Sequence, residues 1–120
     1  MNDILLIVGS VILLFWGSAH IIKTKPVVNT FGQLSIDNKR ILTMEWITEG
    51  MLLIFIALLV ILGAVVGLKQ SIVFYLSAST LLVMAVLSLA TGARTSQLPF
   101  RLCPVIFTVS ALFIVAGVLL

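Results

Sequence analysis

Two carboxylates one helical turn apart, Glu45 and Glu49, stand at the mouth of a long apolar run, in a chain of 120 residues with one histidine, His20, and one cysteine, Cys103. At positions i and i+4 the two acids share a helix face and repel each other when both are ionised and unpaired. At about 1.5 Å per residue, Glu49 lies roughly 6 Å deeper along the axis. There it needs a donor or a counter-ion, because an ionisable group at the hydrocarbon edge is costly. Arg94, whose planar fork suits a carboxylate, is the first candidate partner and His20 the second. Such a pair has two readings: an interhelical ion pair that fixes register, or a site for a substrate, a proton or a ligand.

His20 follows Trp16 by one helical turn, so their rings can share a face. A lone histidine has three uses here: haem ligand, proton carrier or interfacial side chain. With no second histidine, a haem held through His20 by two histidines would require a dimer, and methionine is the only other softer ligand within the chain. In a membrane enzyme, His20 and Glu49 would serve as acid and base. Trp46 reads as an aromatic anchor near the headgroups and Trp16 as packing. The single Cys103 excludes an intrachain disulfide, a CxxC redox pair and a cysteine-rich zinc site. It reads as a small buried hydrophobe, with palmitoylation or a reactive thiol as alternatives. No Ser–His–Asp set, phosphate loop or metal motif is present, so no metal is expected and no catalytic residue can be assigned.

The elements that must position these groups follow from hydropathy. The chain is 62% hydrophobic and 9% charged, where a soluble domain carries about a quarter charged residues. One domain of four apolar segments results, over 4–22, 44–68, 72–92 and 102–120, each close to the roughly 20 residues of a spanning helix. In lipid the backbone must satisfy its own hydrogen bonds, and no alternating strands are present, so the fold class is all-α: an integral membrane antiparallel four-helix bundle. The first segment reads as a span and not a cleaved leader, because Asp3 stands where a basic flank belongs.

Six of the seven basic residues, Lys23, Lys25, Lys39, Arg40, Arg94 and Arg101, flank the first and third connections, and only Lys69 the second. This bias places the first and third connections in the cytoplasm and both termini outside it, in what is expected to be a bacterial cytoplasmic membrane. His20, Glu45, Glu49, Arg94 and Arg101 then gather at the cytoplasmic end. The basic residues form no stripe for nucleic acid. Membrane lipid, a larger membrane protein and a second copy of the chain are the partners to expect.

The connection 23–40 is too long for a hairpin. Pro26 fits a helix start, Gly32 a stop, and Val27, Val28 and Phe31 recur at helical spacing, which predicts a short interfacial helix. Ser35 reads as an N-cap, so the second long helix can begin near Ile36. The tight turn at Gly67 makes the second and third spans expected neighbours. Gly63 with Gly67, and Ser88 with Gly92, are either small-residue packing seams or ordinary membrane-helix glycines and serines. Pro104 fits the first turn of the last helix.

With its long first connection, its Gly17-Ser18-Ala19-His20-Ile21 segment, its Glu49-Gly50 step before Met51-Leu52-Leu53-Ile54 and its Ala90-Thr91-Gly92-Ala93-Arg94 segment, the chain resembles the DoxX-like family of small membrane proteins. The resemblance implies a four-helix bundle, in a family whose members include accessory subunits of membrane oxidoreductase assemblies. Many of those relatives have a lysine where His20 stands. Small multidrug transporters carry their essential acid within the first helix, where this chain has none. An accessory or interaction subunit is therefore the first functional expectation. A small-molecule or lipid binder, or a proton-coupled transporter working through Glu49, Arg94 and His20, is the second.

Overall fold

Three of the four long helices start where the sequence supplies a side-chain cap. In the computed structural model, which describes residues 1–120, α1 (Asp3–Ile22) begins after Asn2, whose side-chain oxygen accepts from the N–H groups of Ile4 and Leu5. Ser35 accepts from Asn38 N–H to start α3 (Ile36–Val65), and Ser71 accepts from Val73 N–H to start α4 (Ile72–Ala90). These side chains satisfy donors that a helix start leaves without partners. Between α1 and α3 lies the short α2 (Thr24–Asn29), and α5 (Leu98–Leu119) follows a 3-10 turn over Gly92–Arg94. The chain is all-helical, and α1, α3, α4 with its 3-10 turn, and α5 are each long and apolar enough to cross a membrane.

Prolines and one glycine set the breaks. Pro26 has no N–H for the carbonyl of Ile22, so α1 stops there and α2 follows with Pro26 in its first turn, as expected. Gly67, at φ +74°, ends α3. There the Leu68 N–H donates to Gly63 O and the Gly67 N–H to Ala64 O, the paired bonds of a Schellman stop. At the last helix the expectation is corrected. The first-turn proline is Pro99, Pro104 lies inside α5, and the helix therefore starts at Leu98 and not at 102.

Packing departs from the order of the chain. α1 packs along both α3 and α5, and α4 packs along α5, whereas α3 and α4 meet little despite the tight turn between them. Where they do touch, Gly63 faces the ring of Phe74. The expected seams at Gly63 with Gly67 and Ser88 with Gly92 are not where helices approach most closely. That occurs between Gly17 of α1 and Gly50 of α3, where a Cβ on either residue would fall 2.7 Å from the other's carbonyl oxygen. A second approach brings Gly117 of α5 against Leu6, beside a bond from Asn2 N–H to Gly117 O at 2.6 Å. Leu6, Leu13, Leu53, Phe74, Leu81, Phe107 and Ile114 are fully buried between the helices. The outward faces are apolar too, with Phe15, Val65, Ile72 and Val83 exposed, as lipid-facing surfaces are.

Gly50→Ala must push two backbones apart, and overpacking of this kind costs about 1–3 kcal/mol. The variant is expected to unfold at a lower temperature than wild type in detergent, whereas Ser18→Ala, on the exposed side of the same α1 turn, leaves the transition in place.

Candidate functional site

The Gly17–Gly50 contact sets the position of His20. A Cβ on Gly50 would lie 2.9 Å from the His20 Cβ, so the imidazole enters the α1–α3 seam one turn after Gly17. His20 is 3% exposed. Its ring stacks on Trp46, with centroids 4.1 Å apart and planes 20° apart, and takes the edge of Trp16 at 5.7 Å. Trp46 packs in turn against Phe100 of α5. Trp46 is thus not an anchor at the membrane surface: it is 8% exposed, and it forms one wall of the histidine site.

Hydrogen bonding orients the ring. Nδ1 lies 3.0 Å from the carbonyl oxygen of Trp16. A carbonyl only accepts, so Nδ1 carries the proton and Nε2 faces the other way. Opposite Nε2 stand Glu49 Oε1 at 3.7 Å and Cys103 Sγ at 4.0 Å. The thiol is buried and donates to Pro99 O at 3.3 Å. One ligand atom each from His20, Glu49 and Cys103 falls within a mutual distance of 4.8 Å. Three helices, α1, α3 and α5, therefore deliver one chemical group apiece to a single point.

The pairing differs from the expectation that ranked Arg94 first. His20–Glu49 is the one contact within 4.0 Å between a basic and an acidic side chain. Thr91, at φ −125° and ψ −91°, breaks α4 before Arg94, which ends the 3-10 turn with its side chain exposed. Arg101 is also exposed: it lies two residues before the inward-facing Cys103, and residues two apart point to different sides of a helix. Glu45 is exposed on the rim of the site, one turn above Glu49. The cluster expected from sequence thus reduces to His20 and Glu49, with Trp16 and Trp46 around the ring. It gains Cys103, which sequence reasoning set aside as packing. The only signal for Cys103 was its place near the start of the last helix, at the same end as His20 and Glu49.

Beside this point lies a cavity of about 500 Å³ where α3 and α4 diverge. Met84, Leu87, Phe107 and Leu52 give it apolar walls, and Val28 of α2 and Phe31 close one side. Phe31 packs edge-on against Phe100, and Thr30 Oγ1 donates to Gln97 at 2.7 Å, which ties the end of α2 to the start of α5. Glu45, Glu49 and Cys103 supply polar atoms to the lining. Trp46 also lines it, and its buried indole N–H has no partner in the protein. Comparisons with protein-family models, with curated proteins and with solved structures give no match for this chain.

Trp46→Ala is expected to cost about 3 kcal/mol in detergent unfolding, at the low end for a buried tryptophan because lipid-like surroundings replace water as the alternative environment. Arg94→Ala should stay within about 0.5 kcal/mol of wild type, as an exposed side chain without an ion partner does.

Proposed function

We propose that this protein is a membrane-embedded binder of a small amphipathic molecule, held in the cavity between α3 and α4 with its polar head toward Glu49. The observation that carries the reading is the cavity itself: apolar walls over most of its surface, with a few polar groups converging at one point, are the usual form of a small-molecule site. Glu45 and Glu49 are acceptors when ionised, which favours a head bearing amine or hydroxyl donors. Glu49 is 31% exposed, so its carboxylate is reachable while its other side faces His20.

In this reading the four long helices form an antiparallel bundle, and α2 lies at the cytoplasmic interface as a cover over the cavity. The charge bias of the connections supports that orientation, with the first and third connections in the cytoplasm of a bacterial cell. Membership of the DoxX-like family, and the accessory-subunit role that it implies, rest on the short sequence segments alone. The cavity instead favours the binding role.

Native mass spectrometry of the gently extracted protein tests the binding role. Wild type is expected to carry a bound small molecule that Ser88→Trp, which fills the cavity from α4, displaces while the protein stays folded, and that Glu49→Gln retains at lower occupancy. Equal occupancy in all three contradicts the reading. The orientation has its own test: in a Cys103→Ser background, Lys39→Cys and Arg101→Cys should react with an impermeant thiol reagent from one side of the membrane, and Lys69→Cys from the other.

A further inference from the structure

The Nδ1–H bond to Trp16 leaves Nε2 of a neutral His20 as a lone-pair donor, 3.7 Å from a carboxylate oxygen and 4.0 Å from a sulfur. A carboxylate oxygen and a nitrogen lone pair at this distance repel unless a proton or a metal cation lies between them, and the ring itself is buried. We propose that His20 Nε2, Glu49 and Cys103 Sγ form a binding site for a divalent ion of the zinc class.

Donor set and dimensions both support that ion. A thiolate, an imidazole and a carboxylate together suit borderline-soft late transition ions over magnesium or calcium, which take oxygen alone. With ligand distances of about 2.1 Å to nitrogen or oxygen and 2.3 Å to sulfur, a tetrahedral ion puts its nitrogen–oxygen edge near 3.4 Å and its edges to sulfur near 3.6 Å. The observed 3.7 Å and 4.0 Å are longer by about 0.3 and 0.4 Å, and the third edge, from the carboxylate to the sulfur, lies within 4.8 Å, so Glu49 and Cys103 must change rotamer to close on the ion. The Trp16 carbonyl already performs the outer task that metal-binding histidines require, holding the ring and fixing its tautomer. On binding, the Cys103 S–H bond breaks, its proton leaves to solvent through the cavity, and a sulfur–metal bond replaces the contact with Pro99 O.

Three protein ligands leave a fourth position. Glu49 and Cys103 both line the cavity, so that position opens into it and admits water or a donor atom of a second molecule, the arrangement of reactive rather than structural zinc sites. The site stands on its own donor atoms and does not depend on an organic occupant of the cavity.

Cobalt(II) added to chelator-treated full-length protein in detergent is the test, because cobalt occupies zinc sites and reports its ligands by colour. Wild type should take up one equivalent, with a thiolate-to-cobalt charge-transfer band in the near ultraviolet and the intense visible bands of four-coordination, both bleached by added zinc. Cys103→Ser should lose the charge-transfer band, and His20→Ala and Glu49→Gln should lose tight uptake, with helical circular dichroism unchanged in each. The proposal is overturned if folded wild type gives no charge-transfer band, or if the band survives in Cys103→Ser. A Ser88→Trp variant that binds cobalt normally but has lost its organic occupant would separate this site from the cavity reading.

Discussion

His20 can face Glu49 because two glycines allow α1 and α3 to touch backbone to backbone. A side chain at Gly17 or Gly50 would collide with the opposite carbonyl at 2.7 Å. Without this approach the helices would stand at the spacing that ordinary side chains impose, about 8–10 Å between axes, and an imidazole in the seam would end in hydrocarbon or in a gap. The tryptophans then complete its surroundings: Trp46 covers one face and Trp16 meets an edge. Thr24 Oγ1 donates to the carbonyl of His20 itself, closing the end of α1 where Pro26 interrupts the backbone ladder.

The same contact explains the cavity. Because α3 is drawn to α1, and α4 is held by α5, the two helices joined by the shortest turn diverge away from that turn. Phe74 fills the space at the Gly63 end, whereas toward Glu49 the cavity lies between them, with Met84 and Leu87 of α4 on its wall. Here the departure from sequential packing makes a space and places the protein's reactive groups on its wall.

Much of this was legible in the sequence, and what was not has physical reasons. The spans follow from hydropathy, and Ser35 caps α3 where its residue type indicated. The convergence of His20 and Glu49 at one end is what the sequence predicts if consecutive long helices alternate in direction. Which helices touch does not follow, since lipid-facing and helix-facing apolar residues look alike in a chain where both are Leu, Ile and Val. Glycines at 17 and 50 carry the decisive approach, but nothing local distinguishes them from Gly63 or Gly67. Arg94 has the better chemistry for a carboxylate, yet its helix unwinds at Thr91 before the side chain can turn inward. Trp46 sits where an interfacial anchor would, and only the stack with His20 shows otherwise. Cys103 could be placed near the site only once α5 was known to start at Leu98, with Pro104 in its interior.

The orientation of one imidazole ring is the point on which site, tautomer and cavity wall agree. His20 is the only histidine, so nitrogen-15 labelling of histidine followed by solid-state nuclear magnetic resonance in lipid bilayers observes that ring alone. The account requires Nδ1 to carry its proton in every state, coupled to a carbonyl carbon of the preceding turn, with Nε2 the nitrogen whose shift responds to Glu49→Gln. A neutral ring protonated at Nε2, or an Nε2 shift indifferent to Glu49, would contradict it.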